Sequence, residues 1–245
     1  MSEKQGLHGV KAFLVMVGSG ALAALIAVGG LVLVVNSIGS AVVDGPSGGD
    51  TEGQVGSWEP APSMTEGALN LCQTLETSAQ AGAFRSMGPE RIDSGDGYSD
   101  PGPGVDSRII RDNCTWEIYS PDGMEWKFSL EYEALAGGES ESMRVDSAEN
   151  VFSLKKESLR EDFASVVNEE IMGDMAEESY AVYGSKEEGG VLYAFLGRTR
   201  SGVFRIDLKA PPSASENVDI ESEFRILVRK TVPVVHSRLE RILPG

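Results

Sequence analysis

The chain has 245 residues, with 38 Asp and Glu against 21 Lys and Arg, and a formal net charge of -17 at pH 7. Nucleic-acid binding and adhesion to anionic lipid both need clustered cations, so this balance argues against either partner. The acidity itself serves solubility and mutual repulsion.

From Ala12 to Val35 no residue is charged, and the run is mostly Ala, Leu, Val, Ile and Gly with a single Ser. About 24 residues make a helix of roughly 36 Å, enough to cross a hydrocarbon core of about 30 Å with some tilt. Lys4 and Lys11 precede the run, and the next basic residue after it is Arg85. Basic residues are retained on the cytoplasmic side, so residues 1–11 are expected in the cytoplasm and everything after Asn36 outside. Cleavage as a signal peptide at Ser37-Ile38-Gly39 or Gly39-Ser40-Ala41 is the alternative. The run is longer than a secretory apolar core of about 7–15 residues, which favours an uncleaved anchor. No Cys follows it directly, so a lipid-modified Cys is not available. Ser19, Ala23 and Ala27 are small residues at four-residue spacing, which permits close helix contact within a membrane.

Residues 36–67 are rich in Gly, Ser, Pro and acids, with Trp58 as an exception, and read as a flexible linker. A globular domain is expected over 68–245. Leu71, Leu75, Ala79 and Ala83 fall on one face of a helix expected around Thr74–Arg85, which Gly88-Pro89 stops. A loop without apolar period follows over 93–104. In the segment 114–119, Cys114, Trp116 and Ile118 share one face of a strand, and Pro121-Asp122-Gly123 supplies turn chemistry. Met124, Trp126, Phe128, Leu130 and Tyr132 then alternate with polar residues, completing a hairpin whose outer-face Glu125 and Glu131 are solvated.

Asp146 with Glu149 three residues on has the form of a capping box, predicting a helix with Ala148, Phe152, Leu159 and Phe163 inward. The stretch 168–178 has no clear period. A three-strand meander is predicted over Tyr180–Gly184, Val191–Thr199 and Val203–Ala210, with Phe204, Ile206 and Leu208 inward and Arg205, Asp207 and Lys209 outward. Pro211-Pro212 ends the sheet. An amphipathic helix is expected from Val218 to Leu243, with Pro233 kinking it. This order predicts an α+β fold: one antiparallel sheet with helices packed on it, preceded by one transmembrane helix.

Cys72 and Cys114 are the two cysteines of the chain. Both lie on the side expected to be oxidising, where no other thiol competes, so a disulfide between them is predicted. Closing a loop of about 43 residues stabilises a fold by up to roughly 4 kcal/mol in the chain-entropy picture. Leu71-Cys72, Leu75 and the strand motif Cys114-Thr115-Trp116 resemble an actinobacterial group of cell-envelope lipoprotein-like domains of unknown function. That group is itself distantly like the extracellular sensor domains of mycobacterial Ser/Thr kinases. The resemblance implies an α+β fold and an envelope location, and transfers no catalytic residue. The chain departs from it by an apolar anchor where many relatives carry a lipid-modified Cys.

No catalytic constellation stands out. His8 lies ahead of the anchor, and His236 beside Arg238 reads as a surface or boundary residue. One exported His and a paired set of cysteines support no transition-metal site, and no cofactor motif is present. Asp93, Asp96, Asp100 and Asp106 could gather around Ca²⁺, but their spacing fails the EF-hand pattern. Asn113-Cys114-Thr115 fits a glycosylation sequon that a disulfide within a strand disfavours. The leading functional expectation is a non-enzymatic, membrane-anchored binding or sensing domain for an envelope ligand or a partner membrane protein. The rivals are an accessory subunit of a membrane complex and a carboxylate-dependent envelope hydrolase.

Overall fold

The computed structural model describes residues 64–80, 87–92, 97–120, 123–138, 140–213 and 220–244. The apolar run 12–35, the linker as far as residue 63, Asp93 and Asp96 lie outside them. Seven strands form one antiparallel sheet: β1 (Met87–Arg91), β2 (Ile109–Tyr119), β3 (Glu125–Leu135), β4 (Ser165–Glu170), β5 (Glu178–Ser185), β6 (Val191–Thr199) and β7 (Gly202–Ala210). Their spatial order is β1-β2-β3-β7-β6-β5-β4. Two meanders, β1 to β3 and β4 to β7, are thus joined side by side through β3 and β7. Among the described residues three α-helices accompany the sheet: α1 (Leu71–Gln80), α2 (Glu141–Leu159) and α3 (Ile220–Ile242).

One face of the sheet carries the main core. Strand alternation sends Trp116, Trp126, Phe128, Tyr193, Phe195 and Phe204 to this side, where all are at most 2% exposed. α1 and α3 cover it. α3 contributes Phe224, Val228, Val232, Val235 and Leu239 at helical spacing, and the Phe224 ring meets Trp126 edge-on with centroids 4.8 Å apart. Pro233 lies within this helix without ending it. Pro233 and Arg229, whose carbonyl the missing N–H would have engaged, both lie on the exposed side, where water satisfies the freed group.

The opposite face has a second, smaller core under α2, made of Ala148, Phe152 and Leu159 against Tyr180, Val182, Leu192, Ala194, Leu196 and Val203. α2 begins earlier than the Asp146 capping box predicts. Ser140 is the N-cap, its hydroxyl accepting from the Met143 N–H, and Asp146 lies inside the helix. Arg144, one turn in, is buried and donates to the Pro244 carbonyl at 3.1 Å, a tertiary contact that the extended start provides. Phe163 lies beyond the helix, where it packs partly buried against this second core. The unassigned stretch ahead of the meander begins with β4, an edge strand with a bulge between Val166 and Asn168, where Val167 is 69% exposed.

α1 starts three residues before the expected helix and is described as far as Gln80, and Gly88-Pro89, expected to stop it, lie within β1. Asn70 caps it, its side-chain oxygen accepting from the Gln73 N–H at 2.8 Å. The Tyr132 hydroxyl on β3 donates to the Leu69 carbonyl and accepts from the Leu71 N–H, fixing the start of α1 on the sheet. Cys72 of α1 and Cys114 of β2 form a disulfide inside the main core, with Cα atoms 5.9 Å apart.

Packing takes in Met64–Gly67, residues whose composition groups them with the linker. Arg108 donates to the Met64 carbonyl at 2.6 Å and the Thr65 carbonyl at 3.1 Å, and forks onto both oxygens of Asp100 at 2.8 and 2.7 Å. Asp100 also accepts from the Gly67 and Gly102 N–H groups. Both charged side chains are nearly fully buried. The Arg108 hydrogen bonds hold the Asp100 carboxyl far below the usual carboxylate range, while burial and the Asp100 charge push the Tyr98 hydroxyl up to about 12.

Replacing both cysteines by Ser is expected to lower stability by up to about 4 kcal/mol, read as a shift in the denaturant midpoint. Because the Asp100 pKa is depressed on folding, its contribution is complete above the unfolded value of about 4 and drains away as pH falls below it. Asp100→Asn should therefore cost about 3 kcal/mol at neutral pH and flatten the acid limb of the stability curve.

Candidate functional site

α2 covers β6, Tyr180 and Val182 of β5, the first residues of β7 and the end of β3 at Glu131 and Leu135, but leaves the second face of β2, of residues 125–129 on β3 and of the rest of β7 open. The register lays polar side chains across these three strands in rungs. Glu117 lies opposite Lys127 and Lys127 opposite Lys209; Thr115 opposite Ser129 and Ser129 opposite Asp207; Asn113 opposite Glu131 and Glu131 opposite Arg205. The intervening residues, Cys114, Trp116, Phe128, Leu130, Ile206 and Leu208, belong to the main core on the other side. Period-two alternation therefore puts the whole polar set on one surface.

This surface is concave. A depression of about 310 Å³ is lined by Asn113, Thr115, Ser129, Asp207, Arg205 and Lys209, with Asp162 and Lys186 on its walls. A neighbouring depression of about 540 Å³ shares Lys186 and Lys209 and adds Glu125, Lys127 and Glu188. The two meet at the lysines and form one trough. Asp162 belongs to the short 3-10 turn Arg160–Asp162 that follows α2. Lys186 starts the turn between β5 and β6, which closes through Gly189 N–H to the Lys186 carbonyl and Lys186 N–H to the Gly190 carbonyl. Gly190 has φ +82°, and an added Cβ would lie 2.4 Å from the Ala210 carbonyl oxygen, so only glycine holds this turn against β7.

Within the trough the Arg205 guanidinium donates to both Asp207 oxygens at 2.7 and 3.0 Å and reaches Asp162 at 2.6 Å. Burial raises the Asp207 pKa despite these contacts. The Thr115 and Ser129 hydroxyls are 3.0 Å apart. Glu131 is drawn outward to Lys155 of α2 at 2.6 Å. Lys127, Lys186 and Lys209 form no ion pair within 4 Å among the described residues. Both carboxylates of this triad are ion-paired to one arginine, which differs from the acid and base pair that carboxylate hydrolysis uses.

A further depression, of about 460 Å³, lies between α2 and Tyr180, with Lys156 and Arg160 on its rim. Its polar groups are already engaged with one another. Arg160 donates to both Glu169 oxygens at 2.6 Å, Tyr180 donates to Glu169 at 2.5 Å, and Lys156 sits 4.8 Å over the Tyr180 ring.

Of the residues singled out in the sequence, Cys72 and Cys114 come together as a disulfide behind the trough floor. Asp100 is committed to Arg108, Asp106 is exposed, and no group of three potential metal ligands occurs among the described residues. His236 is half-buried, and its Nδ1 lies 2.7 Å from the hydroxyl of buried Thr199. The trough residues were legible as outward positions of strands, but nothing local signals that β3 and β7 are neighbours. No family model, curated protein sequence or solved structure matches this chain.

Like charges directly opposite each other on adjacent strands destabilise a sheet. Lys209→Gln, which removes this opposition and keeps Lys127 across from Glu117, is thus expected to raise stability by a few tenths of a kcal/mol, in urea unfolding at low salt. Added salt should narrow the difference, because screening relieves the same repulsion.

Proposed function

We propose that this chain is a membrane-anchored, extracytoplasmic binding or sensing domain that engages its ligand through the trough on the open half of the sheet. The observation that carries this reading is selective exposure. The main core is covered by α1 and α3, and α2 covers the second face over β5, β6, the start of β7 and the end of β3. What is left open is concave, polar and rich in groups that hold hydrogen-bonding potential.

The location rests on the uncharged run 12–35 and the basic residues ahead of it, and on the disulfide, which persists in oxidising compartments. Among the described residues no helix is long and apolar enough to cross a membrane, and residues 12–35 lie outside that set. The resemblance to actinobacterial envelope lipoprotein-like domains, carried by Leu71, Cys72, Leu75, Cys114 and Trp116, supports the same placement.

Protease added to intact cells should remove the region after Asn36 while sparing the anchor, as seen by mass analysis of the retained fragment. Photo-crosslinking from a reactive group placed at Ser129 in the full chain should capture ligand or partner. The same group placed at Leu154, on the exposed side of α2, should not. Protection of the domain from external protease, or equal capture from both positions, would refute this function.

A further inference from the structure

The cations of this acidic chain are unevenly spread. The segment from Phe224 to Leu243, most of α3, holds five Arg and Lys against one Glu, in a chain with 38 acids to 21 bases. The acids of the first turn, Glu221 and Glu223, stand at the other end of the helix, where Glu221 is taken up by Arg225 and the Asn168 amide. Helical spacing sets Ile226, Lys230, Pro233, Ser237 and Arg241 along one outward stripe, opposite buried Phe224, Val228 and Val235, with Arg229 at its edge. Arg229, Lys230 and Arg241 are exposed, and none has a carboxylate within 4 Å among the described residues. Glu240 lies 3.9 Å from the His236 Nε2. On α1, the other helix of this layer, Glu76 is the one charged residue. The trough lysines lack ion pairs too, but Glu117, Glu125 and Glu188 stand among them, whereas on this stretch of α3 cations outnumber acids.

The same helix meets the chain where it enters the domain. Arg238 donates to the Ala68 carbonyl at 3.0 Å, just after Met64, the first described residue. If residues 12–35 hold the chain in a bilayer, the intervening segment of about 28 residues has an r.m.s. reach of roughly 30 Å. The basic face thus meets headgroups at high effective concentration, while the net charge of -17 on each chain opposes a second copy. The overall acid excess argues against anionic lipid for the chain as a whole, but it does not decide for this face. A helix is about 10 Å across and the Debye length about 8 Å at physiological salt, so carboxylates on the far side of the sheet are screened from a surface touching α3. Ile226, 44% exposed, adds an aliphatic side chain to the stripe.

We infer that the outward face of α3 docks on anionic phospholipid headgroups, with Arg229, Lys230 and Arg241 against the phosphates and Ile226 at the headgroup boundary. This rests on the proposed membrane anchor and adds to it an orientation. α3 and the trough lie on opposite faces of the sheet, so docking turns the trough away from the bilayer. No bond is made or broken.

The test uses the full chain reconstituted in vesicles of phosphatidylcholine alone or enriched in phosphatidylglycerol. A donor dye is attached at Ser237→Cys on α3 or at Ser129→Cys in the trough, and energy transfer to acceptors on the lipid headgroups is measured. On phosphatidylglycerol-rich vesicles at low salt, transfer from position 237 should exceed that from position 129, and added salt should shrink the excess. On phosphatidylcholine alone the excess should be small. A Lys or Arg near an anionic surface strengthens adhesion about fivefold, so Arg229→Gln/Lys230→Gln/Arg241→Gln should lower the docked-to-free ratio about tenfold or more. Arg229→Lys/Arg241→Lys, which keeps the charge, should retain the excess, and the salt titration of the native face needs no substitution. Equal transfer from both positions, or an excess that survives salt or the triple variant, would overturn the docking. Loss of the excess in the charge-keeping variant would overturn it as well. Transfer between labelled copies that grows with their density on phosphatidylcholine would assign the face to a second copy instead. Release of the chain from either vesicle by alkaline extraction would overturn the anchor and the inference with it, whereas retention with equal transfer would overturn the docking alone.

Discussion

The pairing of β3 with β7 is the constraint on which the rest of the structure depends. Residues 127–134 meet residues 202–209 across about seventy residues of intervening chain, and eight consecutive pairs align in register. Without that seam there would be two meanders, each exposing an edge and too few strands to support the main core. With it, the aromatic residues of β2, β3, β6 and β7 share one surface, and α1 and α3 bury it together. The same seam lays Lys127 against Lys209 and Ser129 against Asp207, so the packed core and the polar trough arise from a single register. A slip by one residue would send every polar side chain of β7 into the core.

The position of the open surface follows from how the chain travels. After β3, at the middle of the sheet, the chain must reach β4 at the far edge before building back toward the centre. α2 makes that crossing over the end of β3, the start of β7 and β6, and its apolar side packs on these strands and on Tyr180 and Val182 of β5. The strands it leaves behind stay uncovered, and their outward residues are accordingly polar. The 3-10 turn at the end of α2 brings Asp162 back to Arg205, tying the covered half of the face to the uncovered one.

The hairpin of β2 and β3 was readable in the sequence from Cys114 onward, because alternation is strict there and the turn residues have a stereochemical reason to be there, although β2 begins five residues earlier at Ile109. So were the last three strands, α3 and the disulfide. The misses have physical causes. β4 reads Ser-Val-Val-Asn-Glu-Glu, and a bulged edge strand has no buried face to impose a period. The start of α2 was misplaced because its cap is a Ser backed by a distant contact to Pro244, which outweighs the local Asp146 signal. Met64–Gly67 looked like linker because composition cannot register that Arg108, more than forty residues on, supplies donors for their carbonyls. The trough escaped for the same kind of reason: its residues were correctly placed outward, but the neighbour relation that makes them a site is non-local.

The grip of Arg108 and Asp100 on the chain at Met64–Gly67 has a mechanical consequence. Any pull along the polypeptide ahead of this point is delivered first to a buried ion pair, loaded across several bonds at once, and from there to the beginning of β2. The short α1 behind it is shielded from the load, and the sulfur bridge backs it up should the clasp give way. A domain fastened in this manner takes a tug from its leading end at one buried clasp before its first helix feels it.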